Sequence, residues 1–535
     1  MTAPAGTAAP APALLGTLAA CLIAVFVQML DLTMVSTAVP VVADDLDATA
    51  SARMLVVSAY SAVFACSLLS AARLGDILGR GRLYVGGMTG FILASGWCAL
   101  ADTAGELVLA RCAQGLCAAA VSAQTLAIIV AAFPRERRAV VFGIYGGVAG
   151  FAAIAGPMLG GALADTTRPG WRAIFLIDVL LGGLAVLTAR RYLKRERPPG
   201  DARLDPVGMT LSAVGLLGVL YPLAVGRESG WPPMLLGLLA ASALLLIGLV
   251  AHQRRHRDNA VLRAELFSDR RFAVGAILMI GFYLLFAAFP VTVSVTFQSG
   301  LRYSALDTGL LMLPCALGAI AGAVTSPILV SRSGSRTLTF GMALVAAATA
   351  LLAATIDPAQ AAVDTPAVIG SVLLVGVGMG WFAAPLQAVL VSGVTDDTSG
   401  SASGTVPTIQ QVGSAAGPAV LGTLLFAEVA TSADEGIGQA TMLLAREITG
   451  AEPARRTAII EFASCAHTTL TSAAPDLTST TCRIGDPTTA ASLEAAARLA
   501  NAHSYLSAYQ SVLWVITAIA TGLTLITLVL PRSIS

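Results

Sequence analysis

The run Gly143–Gly161 reads G-I-Y-G-G-V-A-G-F-A-A-I-A-G-P-M-L-G-G. It is apolar, long enough to cross a bilayer, and carries glycine at positions 143, 146, 147, 150, 156, 160 and 161. In water such a helix would be poor, because each interior glycine costs roughly 0.5–1 kcal/mol relative to alanine. In lipid the pattern has a use: packing drives helix association there, and small residues let two backbones approach. Pro157 removes one backbone hydrogen bond and permits a kink. The stretch predicts a membrane helix whose glycines form a tight seam with a neighbour. Gly156, Pro157, Gly160 and Gly161 are placed to set how two helical bundles rock on one another.

The rest of the chain agrees with a membrane setting. Of 535 residues, 56% are hydrophobic and 12% charged, where a soluble domain carries about 25% charged residues. Repeated apolar runs predict an all-α integral membrane protein with fourteen spans of about 20 residues each. The net charge of +1 says nothing about nucleic acid, and with no basic, aromatic-laced stripe in the chain no nucleic-acid partner is expected. Residues 1–12 lack the basic region of a signal peptide, so the first helix is expected to act as its own insertion signal. Six of the eight cysteines lie in apolar runs as small packing residues, and no Cys/His spacing indicates a metal.

Arginine placement orients the spans. Arg73, Arg80 and Arg82, then Arg135, Arg137 and Arg138, then the cluster from Arg190 to Arg203, fall in alternate loops. Arg254 to Arg271, Arg332, Arg336 and Arg532 continue the same side. The positive-inside rule then puts both termini in the cytoplasm of a multi-pass cell-membrane protein. Ala155-Gly156-Pro157 is echoed by Ala416-Gly417-Pro418 eight spans later, and the arginine-rich loop after the second span is echoed after the tenth. That offset predicts two six-helix halves separated by two extra helices. The expected boundaries are a cytoplasmic tail at 1–13, an N-terminal bundle at 14–192, a linker with the two extra helices at 193–271, a C-terminal bundle at 272–530, and a tail at 531–535. Residues 431–503 are too polar to span and are expected as an extracellular loop, either disordered or with short amphipathic helices at 438–448 and 490–500. Within it, Cys465 and Cys482 are expected to pair as a disulfide, since that compartment permits one.

Four positions carry candidate chemistry. Asp31 lies deep in the first span, where a charged residue costs roughly 2.5–3.5 kcal/mol, so it is read as functional. Arg111 lies in the fourth span on the order of 10 Å below the outer surface, with Gln114 on the same helical face. Asp31 and Arg111 are expected at similar depth, so proton and arginine would compete for one carboxylate. Asp178, near the start of the sixth span, is either a second proton site or a partner of Arg172. Arg73, Gly75, Asp76, Gly79, Arg80 and Arg82 form a cytoplasmic turn in which Asp76 can accept from a helix N-terminus and so control opening.

Together these residues resemble the major facilitator superfamily, and within it the fourteen-helix drug:proton antiporter family. The resemblance is carried by Leu30, Asp31, Thr33, Val35, Ala38 and Pro40 in the first span and by the Arg73–Arg82 loop. Arg111, Gln114 and Gly115 carry it in the fourth span, the G-P and G-G pairs at 156–157 and 160–161 in the fifth, and Trp171, Arg172 and Phe175 in the sixth. Ala152, Ser36, Ala72, Gly81, Asp178 and Gln410 or Gln411 depart from its pattern. The resemblance implies a major facilitator fold and export of small amphipathic or cationic compounds in exchange for protons, by alternating access. It implies a non-enzyme with no cofactor beyond the proton gradient, surrounded by lipid and acting as a monomer. A lipid or metabolite exporter is the alternative within transport; a polytopic enzyme and a transporter-like sensor are those outside it.

Overall fold

The computed structural model describes residues 11–48, 50–166, 170–193, 205–226, 231–255, 266, 268–361, 363–392, 396–448, 452–472, 475, 477, 482 and 490–530. Six helices make the first half: α1 (Ala11–Asp45), α2 (Ala50–Leu78), α3 (Arg80–Leu100), α4 (Ala104–Ala132), α5 (Arg135–Thr166) and α6 (Arg172–Tyr192). Two more, α7 (Pro206–Val225) and α8 (Pro233–Arg255), form a hairpin. The second half comprises α9 (Arg270–Val295), α10 (Ala305–Ser333), α11 (Arg336–Thr355), α12 (Thr365–Ser392), α13 (Asp396–Glu447) and α15 (Ala490–Thr527), with a short α14 (Glu452–Leu470) before the last. Thirteen described helices are long and apolar enough to cross a membrane. With α5, whose 32 residues include the apolar stretch Val140–Ala153, they give the fourteen spans.

The internal echo in the sequence is an echo in packing. In the first half α5 packs along α1, and in the second α13 packs along α9. A Cβ added at Gly156 would lie 3.2 Å from the Met34 amide nitrogen of α1, and one at Gly417 would lie 3.2 Å from the Ala288 amide nitrogen of α9. Corresponding glycines thus let corresponding helix pairs touch backbone to backbone. The halves meet where α5 packs on α10 and α12, and where α2 and α4 pack on α13. The α7–α8 hairpin lies outside this interface, against α2 and α13. It is clasped at one end by Asp205, the α7 N-cap, which accepts from Gly208 N, Gln253 Nε2 and the His252 ring.

The polar segment 431–503 departs from the expectation of a loop. Residues 431–447 continue α13 without a break, and residues 490–503 are the start of α15. At 52 residues, α13 runs about 78 Å, well past a hydrocarbon core of about 30 Å. The helical period explains why: Ala433, Ile437, Ala440 and Leu444 are buried at spacings of three and four, beside Leu493, Ala496, Ala497 and Ala500 of α15. The stripe is too sparse to read as a span and regular enough to hold two helices together. Cys465 of α14 is joined to Cys482, with Cα atoms 5.9 Å apart. Arg302 and Asn501 both donate to the Leu477 carbonyl, which ties this cap to the helical bundle.

Candidate functional site

The glycine-rich helix divides into two parts. Gly156 and Gly160 press on Thr33 and Met34 of α1; a Cβ at Gly160 would lie 2.7 Å from the Met34 carbonyl oxygen. Gly146, Gly147 and Gly150 have nothing within 4 Å of that position, so they are not part of the expected seam. The reason is register: the seam glycines recur at one-turn spacing on one face, and the others point elsewhere. Pro157 and Gly161 are helical, but their side-chain positions lie outside the described residues.

On another face α1 carries Asp31, and four more helices converge on it. Arg111 of α4 donates from Nη1 to both carboxylate oxygens of Asp31, at 2.9 and 2.7 Å. The same Nη1 donates to Gln114 Oε1 at 2.6 Å, while Arg111 Nε donates to the Val56 carbonyl of α2 at 3.2 Å. Gln114 Nε2 donates to Asp31 at 3.2 Å and to Ser95 Oγ of α3 at 2.9 Å. The Tyr60 ring lies under the guanidinium, 4.4 Å from its carbon, and the Cys98 thiol faces Gln114. Asp31, Arg111 and Gln114 are all at 0% exposure. Sequence reasoning missed Ser95, Tyr60 and Cys98, small or aromatic residues that look like packing until the helices are assembled.

Asp178 of α6 belongs to this cluster, also at 0% exposure. Its charged neighbours are the Asp31 carboxyl and the Arg111 guanidinium. Neither Asp178 oxygen has a hydrogen-bond partner among the described residues, and Arg111 Nη2 is likewise unpartnered. Arg172 does not bind Asp178. It donates to Asp45 at 2.7 Å and to the Ala101 carbonyl at 3.0 Å, where α1 and α3 end. The Trp171 indole nitrogen also donates to Asp45, at 2.9 Å. These two bonds, the indole first and the guanidinium second, hold the Asp45 carboxyl below its ordinary range.

The two carboxyls and the guanidinium are enclosed within the first half and do not open onto the surface between the halves. There the structure has a cavity of about 30 Å³, lined by Phe142 and Tyr145 of α5, Gln387 of α12, and Pro407 and Gln410 of α13 among others. No lining residue is charged. The expected turn from Arg73 to Arg82 shrinks to Gly79: Arg73, Gly75 and Asp76 lie in the last turns of α2, and Arg80 and Arg82 open α3. Arg73 is buried, Arg82 is exposed, and Asp76 pairs with Arg80 at 3.5 Å. Gly79 adopts φ 92°, which requires glycine, and Gly75 makes room for the amide end of the Gln124 side chain.

Two helical halves meeting at a central interface, with an enclosed ion cluster in one of them, are the parts of a secondary transporter. The family model of the Major Facilitator Superfamily matches residues 21–418. The chain is 30% identical over 506 residues to the probable actinorhodin transporter of Streptomyces coelicolor, covering 92% of this chain and 87% of that protein. It is 34% identical over 420 residues to the puromycin resistance protein pur8 of Streptomyces alboniger, covering 77% and 82%. Among solved structures, the human organic anion transporter MFSD10 superposes with a TM-score of 0.55 at 15% identity, covering 77% of this chain and 93% of that one. The chain belongs to the Major Facilitator Superfamily and is a multi-pass membrane transporter of its drug-efflux class.

Proposed function

We propose that this transporter exports small amphipathic compounds from the cytoplasm across the cell membrane in exchange for protons, with both termini cytoplasmic. The observation that carries the proton coupling is the arithmetic of the enclosed cluster. Two carboxyls and one guanidinium at 0% exposure sum to −1 when both acids are ionised and to zero when one proton sits between them. An unbalanced charge in such a place is costly, so the cluster is suited to take up and release a single proton. When Asp31 accepts it, Arg111 is freed, and its unpartnered Nη2 can turn to Asp178. Substrate would bind between the halves, where the lining of Tyr145, Gln387 and Gln410 offers hydrogen bonds and ring surface without a charge. That lining supports amphipathic substrates above strongly cationic ones. The gradient itself supplies the drive, so the cycle needs no bound cofactor and makes or breaks no covalent bond in the substrate. A single chain contains both halves, and we take the monomer as the working unit. The relatives' names make actinorhodin-like and puromycin-like compounds the first to try. The test is a proteoliposome assay that records compound movement and lumenal pH together. Compound movement with no proton counter-flow in the wild-type protein would overturn the exchange reading.

A further inference from the structure

The acidic cluster is walled off from the outer surface by one continuous plug. On α1 the residues Asp31, Val35, Ala38, Val42 and Asp45 follow one another at helical spacing along a single face. The three apolar ones are buried, and the last is exposed at the outer end. At the start of α6 the N-cap Trp171 and then Phe175 and Asp178 do the same, with Phe175 one turn and Trp171 about two turns, or roughly 10 Å, outward of the acid. Trp171 is 2% exposed and Phe175 1%, their rings meet edge to face at 6.0 Å, and both pack in one apolar cluster with Val35, Ala38, Val42 and Leu107. At the rim, Asp45 accepts from the Trp171 indole and pairs with Arg172, whose guanidinium lies over the Trp171 ring at 4.3 Å. Arg172 also donates to the Ala101 carbonyl at the end of α3, so the latch binds three helices.

We infer that Trp171 and Phe175 are the outer gate of the proton site, and that Asp45 with Arg172 is the latch that holds it closed. The inference rests on the reading of Asp31 and Asp178 as proton carriers. It adds the route: external water reaches the carboxyls by separation of α1 and α6 at this plug, not through the cavity between the halves. The apolar collar explains how the site stays dry while substrate is handled on the other side of α1. Trp171 is a gating residue that never touches the substrate.

Cys98 is a native reporter for this gate. It is fully buried and its sulfur faces Gln114 inside the cluster, whereas Cys21 is fully buried elsewhere on α1, ten residues inward of Asp31. Purified protein in lipid nanodiscs is exposed to methyl methanethiosulfonate, and labelling of each cysteine is timed by peptide mass mapping. Local opening sets the reaction rate of a buried thiol, so Trp171→Ala is expected to label Cys98 at least about tenfold faster than wild type, with Cys21 unchanged. Asp45→Ala, which leaves both rings in place, is expected to give a smaller rise at Cys98 alone. An unchanged Cys98 rate in Trp171→Ala would overturn the gate. So would an equal rise at Cys21, which would mean general loosening. If the rise appears only in Trp171→Ala and not in Asp45→Ala, the latch is overturned and the plug stands. Labelling reads water access and not export, so it is decided separately from whether Asp178 carries the proton.

Discussion

Asp31→Asn and Asp178→Asn are expected to be tolerated singly and to fail together. Asp31→Asn removes one of the two carboxylate oxygens that accept from Arg111, at 2.9 and 2.7 Å, and the charge on the other, a loss of about 1.5–3 kcal/mol. Asp178 remains in the field of Arg111 and can balance it. Asp178→Asn removes no hydrogen bond between described residues, so its cost should be small. The double substitution leaves a guanidinium at 0% exposure with no carboxylate beside it, and stranding one charge of a buried pair costs about 3–5 kcal/mol. The double should therefore exceed the sum of the singles by at least about 1 kcal/mol, a coupling measurable by a double-mutant cycle. The assay is unfolding of the detergent-purified protein near pH 7, run beside proteoliposome transport. Each single amide should also abolish uphill export while downhill exchange of a neutral compound continues. A potential of 100 mV supplies roughly 2.3 kcal/mol per charge moved, and that drive is what the singles lose. If stabilities add with no coupling term, Asp178 is not the second counter-charge of Arg111, and the single-proton arithmetic fails.

Further expectations follow from the same geometry. Gly160→Val should push α5 off α1, since even a Cβ there meets the Met34 backbone at 2.7 Å; Gly147→Ala and Gly150→Ala meet nothing and should be neutral or slightly stabilising, and thermal unfolding of the three variants separates them. Reducing the Cys465–Cys482 bond, which closes a loop of separation 17, should cost the outer cap about 3 kcal/mol on chain-entropy grounds while leaving transport rates within twofold, checked by proteolysis and flux. Asp76→Asn breaks the pair with Arg80 and should slow turnover several-fold with substrate affinity nearly intact; a fall in affinity at unchanged turnover would refute the gating role. Asp45 is held below its ordinary range by Trp171 and Arg172, so its contribution is complete above the ordinary carboxylate value and is lost as pH falls through the depressed one; Asp45→Asn should abolish that acid dependence of stability.

Much of the architecture was readable from the chain because lipid imposes strict terms. A span must be apolar and its backbone must be helical, so hydropathy suffices to find the helices. The pairing of Asp31 with Arg111 was readable for the same reason: two opposite charges at equal depth in hydrocarbon have nowhere better to go. Reading failed where a choice of helix face was required. The glycines of α5 looked alike, yet Gly156 and Gly160 meet α1 closely while Gly146, Gly147 and Gly150 meet nothing. Arg172 was near enough in sequence to claim Asp178, but a residue at the helix start points outward, and the tail of α1 brings Asp45 to it. The outer continuation of α13 was hidden because a stripe of Ala433, Ile437, Ala440 and Leu444 amid polar residues does not register as a membrane helix. The tryptophan before α6, beside an acidic run ending α1, was the one available sign of the latch.

The placement of α1 gives the proton site a mechanical outlet. Asp31 faces α4 and α6, and two and three residues later Thr33 and Met34 face α5 through the glycine seam. The α5 helix in turn packs on α10 and α12 of the other half. Along this route the cluster reaches the interface through two helices joined at backbone contact, where there are no long side chains to absorb a small shift; α2 and α4 also reach α13 directly. At such a seam a movement of α1 that follows exchange of Arg111 between Asp31 and Asp178 is passed to α5 rather than dissipated. Coupling of this kind is reciprocal: whatever factor protonation applies to substrate affinity at the interface, substrate must apply to proton affinity at the cluster. Widening the seam with Gly156→Ala should therefore weaken both effects by the same factor, leaving binding of each ligand alone closer to normal. An unchanged coupling factor in Gly156→Ala would show that coupling travels by another path.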